Sequence, residues 1–208
     1  MSGPSIRSLV FIALFAALFV FMSTISFKLG ASAVPITLQT LSVGLAGLFL
    51  PPRHAFASIF IVILLTLIGL PLIGGGAGFV HLTGPTGGYI IAFPFCALAV
   101  SLAVNFYLRS AGENIKRNKI LSLIVFFIIF ELFSSLLAYV TGVPWLMHSY
   151  DMTLSKGLTA GFYPFIPGDA LKSFAGAVIA VSLTPYIVHL RSSMHLRQSS
   201  GQEQPANL

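Results

Sequence analysis

The chain has 208 residues, of which 56% are apolar and only 8% are Asp, Glu, Lys or Arg, against about 25% charged residues in soluble domains. So few charges cannot clothe a water-soluble surface. A nucleic-acid face is excluded too, because the basic residues behind the net charge of +6 stand in short clusters between apolar runs instead of alternating with aromatics.

In chain order the apolar runs are Ile6 to Phe27, Ile36 to Leu50, Ala55 to Leu70, Tyr89 to Leu108, Ile120 to Val140 and Ala170 to Leu190. Most supply the ~20 helical residues that a ~30 Å hydrocarbon core requires. A bilayer leaves no water for open backbone groups, and no period-two alternation suggests a barrel, so the runs predict helices. The expectation is an all-α polytopic membrane protein, a six-transmembrane-helix bundle over residues 1–191. The polar stretch 192–208 reads as a disordered cytoplasmic tail. Arg7, a run from Leu9 to Met22 and Ala31-Ser32-Ala33 resemble a secretory signal, but the small-residue site lies far beyond the run, which favours a retained first helix.

With six spans and a cytoplasmic N-terminus, Arg7, Arg53, Arg109, Lys116, Arg117, Lys119, Arg191 and Arg197 face inward, leaving Lys28 and Lys156 outside. Both termini are then cytoplasmic, in a multi-pass protein of the cell membrane. A five-span arrangement with a re-entrant second segment satisfies the charges equally well. Either way the segments Pro71 to Pro85 and Gly142 to Gly168 lie on the external face, and they carry the unusual chemistry.

Gly74-Gly75-Gly76-Ala77-Gly78 leads to Leu82-Thr83-Gly84-Pro85-Thr86-Gly87-Gly88-Tyr89. Glycine at this density lets the backbone approach a ligand closely. The stretch lacks the Gly-Lys-Ser/Thr ending of a phosphate loop, so the chain does not hydrolyse ATP by that chemistry. Two acids stand at or within apolar runs, where each needs a reason. Asp169 reads first as a helix N-cap, with Lys172 on the same helical face as a pairing partner or a cation for a bound anion. Glu131, with no second acid, His or Lys within two turns, reads as a hydrogen-bonded group inside the bundle. His81, His148 and Asp151 lack a third ligand at diagnostic spacing, so no metal is expected, and no cofactor or catalytic nucleophile either. Trp145 suits an aromatic belt. Ala13 and Ala17, and Gly44 and Gly47, form small-residue patches that pack helices, either within the bundle or against another membrane subunit.

Three ordered motifs, Pro35-Ile36-Thr37-Leu38-Gln39-Thr40-Leu41, the Gly-rich stretch ending in Tyr89, and Pro164-Phe165-Ile166-Pro167-Gly168-Asp169-Ala170-Leu171-Lys172, resemble the BioY family over roughly residues 5 to 190. Members are biotin-specific substrate-binding (S) subunits of energy-coupling-factor (ECF) transporters. The resemblance implies a non-enzymatic subunit in the lipid bilayer that binds biotin from outside and works with a transmembrane coupling protein and ATPase subunits. It places Asp169, Lys172, Gln39, Gly76 and Tyr89 at the substrate and Ala13 and Ala17 at the coupling protein. The chain departs from the family pattern at Gly76-Ala77-Gly78, where a polar residue before paired glycines is expected, and at Ile90, where some relatives carry a base. The alternatives are an S subunit for another vitamin and a solitary biotin carrier working without ATPases.

Overall fold

The computed structural model describes residues 6–27, 35–112 and 118–199, with His81 and residues 195–199 described by backbone alone. Lys28, Lys116, Arg117 and the end of the tail beyond residue 199 lie outside the described residues, as does Ala31-Ser32-Ala33.

Nine helices are described: α1 Ile6–Thr24, α2 Gln39–Phe49, α3 Pro52–Leu67, α4 Gly78–Thr83, α5 Gly87–Ala111, α6 Lys119–Ser149, α7 Leu154–Gly161, α8 Ile166–Ser182 and α9 Thr184–Ser199. The only strands among the described residues are β1 Ser26–Phe27 and β2 Ile36–Thr37, an antiparallel pair with Ser26 opposite Thr37. The protein is therefore all-α. Helices α1, α5 and α6 are each long and apolar enough to cross a membrane. Helices α7 and α8 pass the same test as one span bent by 46°, and α2 and α3 are shorter apolar helices.

The second apolar run differs most from expectation. Its first two residues are strand, and α2 keeps only 11 residues, ~16 Å at 1.5 Å each, about half the hydrocarbon thickness. Such a helix can only lie inside the bundle, and eight of its residues are buried. It packs against α5, α1 and α8, and α5 is held in turn between α2, α3 and α6. Gly44 and Gly47 make this approach possible: a Cβ at Gly44 would stand 2.4 Å from the Phe130 ring, and one at Gly47 2.6 Å from Val100. That patch serves packing within the bundle.

A short helix that stops inside a protein leaves carbonyls with no helical partner and no water. Arg191 meets them. Its Nη1 donates to the carbonyls of Gly47 at 3.0 Å and Leu48 at 2.6 Å, its Nη2 to Ser101 O and Oγ at 3.0 and 2.7 Å, and its Nε to Asn105 Oδ1 at 3.1 Å. Arg191 is 3% exposed, and it closes the C-terminal end of α2.

The last apolar run also divides. Pro185 lacks the amide that would continue the ladder, so α8 ends at Ser182 and α9 begins at Thr184. Helix α9 continues to Ser199, eight residues into the stretch expected to be disordered. It buries Ile187, Leu190, Arg191 and Met194 at helical spacing.

Candidate functional site

At one end of the bundle the N-terminus of α2, the start of α5, the middle of α6 and the start of α8 surround a cavity of about 840 Å3, counting its open mouth. Ser23, Ser26, Pro35, Ile73 and Gly74 also reach it, from α1 and the segments beside β1, β2 and α4.

The polar wall is built on Asp169. The N-cap reading of this residue fails because α8 starts earlier, at Ile166, with Pro167 tolerated in the first turn; Asp169 N donates to Phe165 O at 2.8 Å and the side chain is left for other uses. Its Oδ1 lies 2.6 Å from Lys172 Nζ and accepts from Thr40 Oγ1 at 3.3 Å, and its Oδ2 accepts from the Tyr139 hydroxyl. Lys172 Nζ also donates to Thr37 O at 3.0 Å. Both charged groups are more than nine-tenths buried, so they are satisfied by each other and by hydrogen bonds, as burial of charge demands. The first turn of α8 places the carboxylate where the helix dipole favours a negative charge.

Gln39 stands beside this pair. Its Oε1 accepts from Thr37 Oγ1 at 2.8 Å, while its buried Nε2 has no hydrogen-bond partner. Ser135 Oγ, also buried and in the lining, likewise has none.

The other walls are apolar. Tyr89 is 8% exposed and donates its hydroxyl to Gly161 O at 2.8 Å, so the ring is what it offers the cavity. Tyr139 meets Tyr89 and Phe162 edge to face, with centroids 5.9 and 4.9 Å away, and Phe165, Phe93 and Ile90 complete the surface. Ile90 is thus an apolar wall residue in this chain. Tyr89 can sit where it does because residue 142 is glycine; a Cβ there would stand 2.2 Å from its ring.

The structure brings together four of the five expected substrate residues, Asp169, Lys172, Gln39 and Tyr89, and Gly76 is not among the lining. Gly76 N closes a turn on Ile73 O at 2.9 Å, through Gly74 and Gly75 at φ +57° and +79°, and the turn presents Ile73 and Gly74 to the cavity instead. Ser23 Oγ accepts from Gly74 N at 3.0 Å and anchors this turn to α1. The Gly-rich stretch is not wholly loop either, since α4 lies within it. Trp145, half-buried, donates from Nε1 to Gly84 O at 3.0 Å and packs on Gly88, where a Cβ would be 2.4 Å from its own.

Sequence reasoning missed Thr40, Ser135 and Tyr139. A signal existed, because Glu131, Ser135 and Tyr139 recur every four residues in a mostly apolar helix. Glu131 itself opens a π-helical stretch, Glu131–Leu136, and accepts from Ser173 Oγ at 2.6 Å. It is a hydrogen-bonded group between α6 and α8, as read from the sequence. The π turn widens the helix beside α2, where the Ser134 hydroxyl donates to Thr40 O.

An all-α multi-pass membrane bundle with a closed, self-neutralised polar wall facing aromatic surfaces defines a solute-binding membrane protein. The BioY family model matches residues 1–188, and the chain belongs to that family. It is 32% identical over 190 residues to the biotin transporter BioY2 of Lactococcus lactis subsp. cremoris, covering 91% of this chain and 96% of the relative. It is 34% identical to the probable biotin transporter BioY of Bacillus subtilis, covering 83% and 88%. The crystal structure of the S-component for biotin from an ECF-type ABC transporter superposes with a TM-score of 0.74 at 28% identity, covering 86% of this chain and 92% of that one.

Proposed function

We propose that this chain is the biotin-binding S subunit of an ECF-type transporter, taking biotin into the cavity from outside the cell and delivering it inward. The observation that carries the reading is the buried Asp169–Lys172 pair at 2.6 Å on a wall facing Tyr89, Tyr139 and Phe165. Biotin presents two ureido N–H groups beside one carbonyl, on an apolar bicycle. Asp169 Oδ2 suits a ureido N–H, Lys172 has one N–H beyond those given to Asp169 and Thr37, and the aromatic walls suit the rings. The protein binds and moves its solute without chemical change. In this reading both termini are cytoplasmic, six apolar elements form the bundle, and ATPases act through a coupling protein that meets α1 at Ala13 and Ala17. Both alanines are exposed.

The test is equilibrium binding of labelled biotin to the purified protein in detergent, with other vitamins as competitors and Asp169→Asn as control. Selective, saturable binding that Asp169→Asn weakens at least tenfold is expected. A folded protein that binds no biotin, or binds another vitamin better, sinks the assignment.

A further inference from the structure

Helices α5 and α6 pack closely along Leu137–Ser149 but draw apart along Lys119–Phe130, and the π-helical stretch Glu131–Leu136 stands where they part. The gap is an apolar groove on the side of the bundle, and it shares no lining residue with the cavity described above. Ala99 and Ala103 of α5 and Val125 and Ile129 of α6 lie low in it, each buried or half-buried, while Leu102 and Phe106 stand out from α5 at 54% and 74% exposure. At one end the Tyr107 hydroxyl donates to Ser122 Oγ at 2.9 Å and ties the two helices together.

Positive charge gathers at that same end. Ala99, Leu102, Phe106 and Arg109 follow at i, i+3, i+7 and i+10, one stripe of α5, so Arg109 continues the groove's own face, and Lys119 opens α6. Residues 109–119, which join the helices, carry four bases, Arg109, Lys116, Arg117 and Lys119, against one acid, Glu113, a net charge of +3. From Ala99 to Arg109 the stripe runs ~15 Å at 1.5 Å per residue, half of a ~30 Å hydrocarbon core. The groove is thus one leaflet deep and basic at the membrane edge. Setting topology needs bases but no groove leading to them. Copies of this chain share one orientation in a bilayer, so a second copy seated face to face here would set two basic ends together, whereas an anionic head group complements them.

We propose that the groove between α5 and α6 is a site for an anionic phospholipid, with one acyl chain lying over Ala99 and Ala103 and the phosphate meeting Arg109 and Lys119. The proposal is independent of the solute. Only the name of the leaflet, cytoplasmic, rests on the topology given under the proposed function.

The experiment is native mass spectrometry of the full chain in detergent, titrated with a phosphatidylglycerol and with the phosphatidylcholine of the same acyl chains, with thermal unfolding alongside. Wild type should bind the first phosphatidylglycerol about tenfold or more tighter than phosphatidylcholine. Arg109→Gln with Lys119→Gln, both at exposed positions, should bring the two lipids level. Arg53→Gln, which removes an exposed base from α3, should leave the preference unchanged. Ala103→Phe, which fills the groove, should weaken both lipids about tenfold or more if each chain seats there. Equal binding of the two lipids by wild type overturns the proposal, as does a preference that survives the double variant or that Arg53→Gln lowers as much. A folded Ala103→Phe protein that keeps wild-type affinity removes the chain from the groove. A dimer in the wild-type spectrum that Ala103→Phe abolishes would assign the groove to a second copy and overturn the proposal as well.

Discussion

At the scale of single residues, the Asp169–Lys172 pair has two separable consequences, one for folding and one for binding. Removing one member of a buried pair strands the other's charge, at a cost of about 3–5 kcal/mol, whereas removing both charges is often close to neutral. Asp169→Asn should therefore lower the thermal unfolding temperature of the protein in detergent, and Asp169→Asn with Lys172→Met should recover most of the loss. Biotin binding should stay weak in both, because the open carboxylate direction is gone in each. If the double variant unfolds as early as the single one, the pair's net charge is not what holds these helix ends. If it regains affinity, Asp169 is not a ligand contact. The sequence made the pair legible, since three residues on one helix separate its members. Thr40 and Tyr139, 129 and 30 residues away from Asp169, were not legible, because only the packing of α2 and α6 against α8 brings them to it.

Elements were legible as apolar runs, but their ends were not, and the reason is physical. Hydropathy measures how long a segment stays apolar. It does not tell whether the segment spans the bilayer or stops within the protein. Helix α2 stops within, and Arg191 marks where, across 143 and 144 residues of sequence. A basic residue closing an apolar run looks the same whether it faces water or caps a neighbouring helix, so charge counting placed it at the membrane surface. The difference is measurable. Arg191→Met would leave the carbonyls of Gly47 and Leu48 without donors, each worth about 1–3 kcal/mol, and should destabilise the protein by about 2–5 kcal/mol in denaturant unfolding. Arg191→Lys should rescue little, because one ammonium cannot reproduce the planar fork that reaches four residues. A topology charge would behave oppositely: Lys would substitute fully, and Met would leave unfolding unchanged.

For the whole molecule, the outer surface of α1 is where packing within the bundle ends. Ile12, Phe15 and Phe19 are buried, Phe15 against Phe49 of α2 and Phe19 against Phe93 of α5, while Val10, Ala13, Leu14, Ala17 and Phe21 lie on the exposed side. Lipid covers leucine and alanine equally well, so a flat strip at Ala13 and Ala17 adds nothing to the isolated subunit, but it lets another helix approach at backbone distance. Under the proposed function that helix belongs to the coupling protein, and the strip is remote from the cavity, whose lining includes neither alanine. Binding and uptake should therefore separate. Ala13→Leu with Ala17→Leu should bind biotin in detergent with unchanged affinity and unfold at the wild-type temperature. In cells that also produce the coupling protein and ATPases, the same variant should fail to co-purify with them and lose biotin uptake. Normal co-purification would remove α1 from the docking surface. Uptake that persists without co-purification would mean that the chain carries biotin alone, and the ATPases would have no place in its mechanism.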